Sequence, residues 1–237
     1  MSFGTSCLLA VVAALCLASV ASALSLERVR LVHNTATSGG TPSFLFRGDV
    51  PDWLPDDSHT GPLPNNTEAP AFLNNTLVGF FALRLAERGI AMPPPPYYIV
   101  DVNLLGAGSW QDDTAIDAEK KFFDANPQLG RFVHFPTFGT AEDPSQFTPA
   151  ERSALARNFS RWDRDHLELR IPELQSFLTD QTNVPAAANA VFVYVHCIGG
   201  EDRTGEVMGS YAMRFLNQTA PEAFRIDWLP RPRRAPE

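Results

Sequence analysis

The chain has 237 residues, a formal net charge of −8, and 44% hydrophobic and 11% aromatic residues. This length and composition fit one globular domain with its own core and exclude a disordered chain. The acidic balance argues against general nucleic-acid binding, which needs a basic face to neutralise phosphates, so no nucleic-acid partner is expected, although net charge leaves a local basic pocket open.

The N-terminal segment has the pattern of a secretory signal peptide. Residues 7–23 form an apolar to weakly polar run ending in Ala21-Ser22-Ala23, and this arrangement of small residues predicts cleavage after Ala23. The mature protein is then expected to be secreted, or to lie in the lumen of the secretory pathway, without a membrane span. If the segment is not cleaved, it is long enough to anchor the chain as a single span.

Four N-x-S/T sequons support this localisation, since such sites are glycosylated in exported proteins. They begin at Asn65, Asn74, Asn158 and Asn217.

The cysteine count is also informative. Two cysteines lie in the signal segment, so Cys197 is the only one left in the mature chain. A disulfide framework is therefore excluded. The lone thiol in an oxidising compartment is either kept for its chemistry or is a buried, inert thiol at the end of a core strand, and the cysteine count leaves both open.

The elements after the signal segment alternate between strands and helices. In the first half of the chain, we predict a short strand in FLFRGDVP, a helix at 69–88 capped by Gly89, a strand at 97–103, and a polar turn GAGSWQDD with a short helix to 125. In the second half, we predict a strand at 131–136, a helix from 148 to 169 that begins with a Thr148–Glu151 capping box, a helix at 172–180, a strand at 190–195 and a helix at 203–216.

This order predicts an α/β fold with a central, mostly parallel sheet of about four to five strands flanked by helices. One domain is expected over residues 24–230, followed by a disordered basic tail at 231–237.

The stretch VFVYVHCIGGEDRTGEVMGSYAMRF, residues 191–215, carries the most chemistry. A buried strand runs into a glycine turn that opens a helix, which places backbone N–H groups and the helix dipole around one anion-binding concavity. Cys197 lies at the edge of this turn, where the same field favours a thiolate. Arg203 can bind two oxygens of a tetrahedral oxyanion, so the turn is predicted to be a phosphate-binding loop between the last strand and a helix.

The motif His196-Cys197-x-x-Gly200-x-x-Arg203-Thr204-Gly205 resembles the signature of the cysteine-dependent protein-tyrosine and dual-specificity phosphatases. The close resemblance covers only some twenty residues. It implies that Cys197 is a nucleophile that forms a phosphocysteine and that Arg203 binds the phosphoryl oxygens. It also implies that Thr204 assists release of the thiolate and that His196 orders the loop. The implied phosphate-binding amides are those of Ile198, Gly199, Gly200, Glu201, Asp202 and Arg203, without a metal or other cofactor.

The resemblance implies an aspartate as proton donor on the loop after the strand RFVHFP. Asp143 meets this description, although it lies farther from Cys197 than is usual in small family members, and a turn-forming role before Pro144 is the alternative. Asp163 and Asp165 are closer to Cys197, but we interpret them as part of the solvated face of the preceding helix.

Asp202 is a second candidate for the proton donor. Lipid-active relatives with a Lys-Asp-Arg-Thr-Gly motif carry an aspartate at this position, whereas Glu201 replaces their lysine here, which argues against polyphosphorylated substrates. The alternative is that both acids face solvent and Asp202 only fixes the loop. Arg47 resembles an arginine found near the start of compact family members, and we interpret it as structural.

The predicted function is hydrolysis of phosphomonoesters, with phosphotyrosine in proteins as the leading substrate and a small phosphomonoester as the other. Two alternatives remain open. One is a catalytically silent phosphate-binding protein, and the other is a phosphatase of phosphoinositides or inositol phosphates.

Overall fold

A computed structural model describes residues 24–35, 40–51, 76–106, 110–137, 148–158 and 165–227. The predicted signal segment, the basic tail, Asn65, Asn74, Asp143 and Asp163 lie outside these ranges.

Five strands form one mixed sheet in the order β1-β2-β5-β3-β4. They span β1 Arg30–Thr35, β2 Ser43–Gly48, β3 Tyr97–Asn103, β4 Gly130–His134 and β5 Ala190–His196. Strands β2, β5, β3 and β4 are parallel to one another, and β1 runs antiparallel to β2 at one edge. The carboxyl ends of four strands therefore meet at one edge of the sheet.

Six helices accompany the sheet in the described ranges. They span α1 Val78–Glu87, α2 Trp110–Ala125, α3 Pro149–Asn158, α4 Leu167–Thr179, α5 Asp202–Phe215 and α6 Ala220–Asp227. No helix among the described residues is long and apolar enough to cross a bilayer.

The central strand β5 explains why the sheet is covered on both faces. All seven of its residues are buried, as is typical of a parallel strand with helices on either side. Its side chains alternate between two clusters. Val191, Val193 and Val195 pack with residues of α4 and α5, whereas Phe192 and Tyr194 pack with α1 and α2. The apolar run of β5 thus fixes the layer order that places its carboxyl end at the site described below.

The predicted α/β fold with a mostly parallel sheet is confirmed. The capping box is confirmed in detail, since the Glu151 carboxylate accepts hydrogen bonds from the Thr148 N–H and hydroxyl, and the Thr148 hydroxyl accepts one from the Glu151 N–H. Gly89 follows α1 with a φ of 69°, the left-handed conformation expected of a glycine at a helix C-terminus.

Several predicted bounds were wrong. Helix α2 begins at Trp110, inside the segment predicted as a polar turn, because its acidic first turn suits a helix N-terminus. Helix α3 ends at Asn158 rather than extending to 169. Helix α4 begins at Leu167, so Pro172 lies inside it rather than at its start. The buried residues Ile171, Leu174 and Phe177 form an apolar face on both sides of the proline, and packing of this face stabilises the helix across it.

Two elements were not predicted. Strand β1 has five half-buried residues and one exposed residue, so it lacks a strong apolar pattern, and it forms by pairing with β2. Helix α6 is short and packs mainly on α5. Both depend on tertiary contacts that local sequence patterns do not reveal.

Candidate active site

The site lies where three parallel strands end side by side. Gly48 at the end of β2 and Asn103 at the end of β3 both pair with His196 at the end of β5. The loop at residues 197–201 follows His196 and leads directly into α5. The sequence therefore places this loop between the segments that follow β2 and β3.

The carbonyl groups of the loop are bound by the surrounding protein. The Val50 N–H donates to the Ile198 carbonyl at 3.1 Å, and the Leu104 N–H donates to the His196 carbonyl at 2.9 Å. Two arginines from the N-terminal part of the chain donate to the next two carbonyls. Arg28 bonds to Gly199 at 2.8 Å, and Arg47 bonds to Gly200 at 2.5 Å.

These bonds orient the amides. In a trans peptide the N–H points opposite to the preceding C=O. The carbonyls of residues 198–200 are bound by Val50, Arg28 and Arg47, which all come from the segments around β1 and β2, so the N–H groups of residues 199–201 point away from those segments. The loop has the orientation of an anion-binding backbone nest, with the N-terminus of α5 adding positive partial charge.

Arg47 has the structural role predicted for it. Its side chain is buried, and burial, followed by repulsion from Arg30, lowers its pKa to about 10. It therefore stays charged at neutral pH and holds the Gly200 carbonyl. A buried charged donor is costly to replace, so this bond is a strong constraint on the loop.

Gly200 is required by the loop geometry. Its φ is 65°, and a Cβ there would lie well inside contact distance of the Gly48 carbonyl oxygen and the Asp49 nitrogen. Only glycine fits both the left-handed backbone and this close approach.

Cys197 begins the loop and is 3% exposed. Thr204, in the first turn of α5, is fully buried, and its hydroxyl has no hydrogen-bond partner among the described residues. A buried hydroxyl without a protein acceptor is available to donate to another group at this helix terminus.

Arg203 is held by a residue that the sequence analysis did not identify. Its Nη1 donates to Oδ2 of Asp112 at 2.9 Å, and both side chains are less than one-fifth exposed. The same oxygen accepts from the Gly106 N–H at 3.2 Å. Asp112 lies in the first turn of α2, which follows β3, so the parallel sheet brings it to the carboxyl end of β5.

Both acids of the loop are exposed. Glu201 is 3.6 Å from the Arg28 guanidinium, which partly compensates its charge. Asp202 is the first residue of α5, where the helix dipole favours a carboxylate. The structure thus gives Glu201 a basic partner, a feature not expected from sequence.

His196 is buried with two acids. Its Nε2 lies 3.1 Å from Asp101 Oδ1 and 3.3 Å from Glu119 Oε2, and all three side chains are fully buried. Burial lowers the pKa of His196, but Glu119 and Asp101 outweigh this and raise it well above its usual range. Burial and Glu119 raise the pKa of Asp101 to about 7. The donor atoms of the three residues lie within 4.8 Å of one another, which is close enough to hold one metal ion.

Asp165 differs from its interpretation as part of a solvated helix face. It precedes α4 instead of lying in α3, and it is 5% exposed. Burial and Asp165 raise the pKa of Glu206, one turn after Arg203 on α5, so the two carboxyl groups are near each other. Arg170 donates to the Pro136 carbonyl at 2.8 Å, which fixes the start of α4 against the segment after β4.

Two predicted glycosylation sites are within the described ranges. Asn217 is exposed just after α5 with a φ of 56°, and Asn158 is the last residue of α3. Glycosylation at both sites stays a prediction.

One sequence signal could have identified the buried acid of β3. The strand YYIVDVN is apolar except for Asp101 and Asn103, and polar residues in a strand covered on both faces need a specific partner. Asp112, Glu119 and Arg28 gave no comparable signal, because acids on a helix and a basic residue near a domain's N-terminus are common at surfaces.

A scan against models of protein families found no match to this chain. A search of the curated proteins found no match either.

Proposed function

We propose that the protein is a cysteine-dependent phosphatase that hydrolyses phosphomonoesters, with phosphotyrosine in proteins as the leading substrate class. The observation that carries this proposal is the loop at 197–201. The carbonyls of residues 198–200 are bound by Val50, Arg28 and Arg47, which leaves the amides of residues 199–201 facing the opposite side. Cys197 begins this loop, and Arg203, held by Asp112, follows it.

In the proposed reaction, the loop amides and Arg203 bind the phosphoryl oxygens. The Cys197 thiolate attacks phosphorus, an S–P bond forms, and the P–O bond to the leaving group breaks. Water then attacks the phosphocysteine, releasing inorganic phosphate and the thiolate. Thr204 supplies the hydroxyl that stabilises this thiolate, since it is buried and lacks another acceptor among the described residues. Negative charge that builds up on the oxygens meets donors already in position.

The leaving oxygen needs a proton. We propose Asp143 as its donor and Asp202 as the alternative. Replacement of the true donor by asparagine lowers kcat by about 100- to 10,000-fold with phenyl phosphate. The loss is smaller with p-nitrophenyl phosphate, whose leaving group needs less protonation. The asparagine variant of the other candidate serves as the control.

The substrate class follows from the charge at the loop. The exposed acids Glu201 and Asp202 disfavour substrates with several phosphates, and Arg28 compensates only one of them. We therefore expect phosphotyrosine peptides to be hydrolysed with a higher kcat/KM than any phosphoinositide. The reverse preference would assign the protein to lipid substrates.

The central test is hydrolysis of phenyl phosphate by the purified mature chain and by its Cys197→Ser variant. We expect turnover by the wild type and none by the variant. After reaction with substrate that carries a labelled phosphoryl group, a labelled phosphoenzyme should be trapped only with the wild type. Asp124→Asn, an exposed change on α2, is the matched control and keeps wild-type activity. Phosphate binding without turnover by the wild type, or activity that survives in Cys197→Ser, would overturn the proposal.

A further inference from the structure

Three ionisable side chains meet in the core behind the loop. Asp101 comes from β3, His196 from β5 and Glu119 from α2, and each is 0% exposed. Buried charges in proteins are paired, hydrogen-bonded or bound to a metal, because removing them from water is costly. The way in which these three groups are satisfied therefore needs an explanation.

Hydrogen bonds within the described part of the chain do not satisfy them. Neither oxygen of Asp101, neither ring nitrogen of His196, nor Oε1 of Glu119 has a hydrogen-bond partner there. His196 Nε2 is close to a carboxylate oxygen on each side, yet neither contact has the alignment of a hydrogen bond. At these distances the two carboxylates and the imidazole are held together either by a proton on the imidazole or by a cation in its place.

The spacing of these atoms fits ligands of a common ion. Donor atoms bound tetrahedrally to one Zn²⁺ at about 2.0–2.1 Å lie roughly 3.4 Å apart. Nε2 of His196 is 3.1 Å from Asp101 Oδ1 and 3.3 Å from Glu119 Oε2. We propose that Asp101, Glu119 and His196 bind one divalent transition-metal ion, with Zn²⁺ as the best fit.

The donor set and the charge both favour this ion. Imidazole nitrogen disfavours Mg²⁺ and Ca²⁺, which take oxygen ligands, whereas zinc binds histidine and carboxylates readily. Two carboxylates, a neutral imidazole and a divalent cation sum to zero charge, which suits a site without solvent. The second oxygen of Asp101 or Glu119, each without another partner among the described residues, supplies the fourth ligand.

Asn103 supports the site from outside. Its amide Nδ2 donates to Glu119 Oε2 at 2.6 Å, and its Oδ1 accepts from the Leu105 N–H at 2.8 Å. Hydrogen bonds of this kind orient metal-binding carboxylates. The ion would join β3, β5 and α2 directly behind Cys197, and because the site is closed, it would be bound as the chain folds. Its role is structural and does not depend on the proposed phosphatase activity.

The first test is the metal content of untagged protein purified from zinc-supplemented medium without chelators. We expect about one zinc ion per chain by elemental mass spectrometry. Glu119→Gln and Asp101→Asn should lose the ion, while Asp124→Asn, an exposed carboxylate on α2, should keep it. Cys197→Ser should also keep it, which separates this test from the test of catalysis.

X-ray absorption spectroscopy of the wild type keeps the proposal testable if the core variants do not fold. The expected first shell holds one imidazole nitrogen and oxygen donors, without sulfur. A sulfur ligand would place the ion on Cys197 and overturn the proposal. Less than about 0.1 metal ion per folded chain, even after refolding with excess zinc, would also overturn it and leave the triad to be neutralised by protons.

Discussion

Arg203 and Asp112 form a partly buried pair in which Nη1 of the arginine donates to Oδ2 of the aspartate at 2.9 Å. Asp112 lies on α2, which follows β3, whereas Arg203 lies on α5, which follows β5, so the pair ties the Arg203 guanidinium to a second helix. We predict that Asp112→Asn lowers kcat/KM for phenyl phosphate about 10- to 100-fold, because one charge-assisted hydrogen bond that positions Arg203 is weakened. Steady-state kinetics measure this.

The neighbouring acid provides the control. Asp113 is exposed in the same helical turn, and Asp113→Asn should leave kcat/KM unchanged. If Asp112→Asn retained full activity while Arg203→Lys lost it, the pair would have no role in positioning the guanidinium.

Gly200 gives a prediction about stability. Gly200→Ala forces an alanine into a left-handed backbone and drives its Cβ into the segment after β2. We expect the free energy of unfolding to fall by about 1–3 kcal/mol, together with a loss of phosphate binding, because the loop must move. Urea denaturation and equilibrium binding of phosphate measure the two effects.

A second glycine serves as the matched control for that change. Gly209 lies within α5, and an added Cβ there meets nothing within 4 Å. Gly209→Ala should therefore stabilise the protein by about 0.5–1 kcal/mol through helix propensity. Equal losses of stability in both variants would show that the strain at Gly200 is not the cause.

The sequence predicts the parts of the site that depend on local pattern. The apolar run of β5, the glycine turn and the start of α5 place Cys197 and Arg203 correctly, since a strand and the helix after it specify the loop between them. Gly200 could be placed for the same reason, because a glycine-rich turn at a helix N-terminus is a local feature.

The partners of these residues could not be predicted, because they come from distant segments. Arg28 approaches the loop from the segment before β1, a strand that forms only by pairing with β2. Asp112 and Glu119 lie about two turns apart on α2, whose sequence carries no motif, and only the sheet order β5-β3 brings that helix to the site. Asp165 was misassigned because α3 ends at Asn158, and the weak apolar pattern of this helix does not mark where it ends.

The buried carboxyl group of Asp49 should make the stability of the protein depend on pH. Its carboxylate is buried after β2 and accepts from the Ser25 N–H, and burial raises its pKa from 3.8 to about 6. The unfolded chain therefore ionises first as pH rises. The contribution of Asp49 to the free energy of unfolding should decline between about pH 4 and about pH 6 and stay constant above.

Asp49→Asn removes this titration while keeping an oxygen acceptor for the Ser25 N–H. We expect the variant to gain stability relative to the wild type as pH rises across that window, as measured by urea midpoints. A constant difference between the two proteins across the window would contradict the raised pKa.

We expect His33 to make stability depend on pH in the opposite direction from Asp49. Its Nδ1 lies 2.7 Å from the Tyr211 hydroxyl, which donates to Gln175 Oε1 at 2.5 Å, so the hydroxyl accepts from a protonated Nδ1. Burial lowers the pKa of His33 below 6.5. The contribution of neutral His33 to the free energy of unfolding is then complete above about pH 6.5. It is lost as pH falls toward the folded-state pKa, because the unfolded chain binds the proton first.

His33→Gln removes this titration and should flatten the dependence of stability on pH below about pH 6.5. Tyr211→Phe tests the bond itself, since it leaves His33 and Gln175 without their shared partner and should cost about 1–3 kcal/mol at neutral pH. The histidine would keep its lowered pKa in that variant, because burial and not the hydroxyl causes the shift. Nuclear magnetic resonance titration of the imidazole, run on the wild type and on Tyr211→Phe, distinguishes the two causes: a pKa that returns to its usual value in the variant would assign the shift to the hydrogen bond.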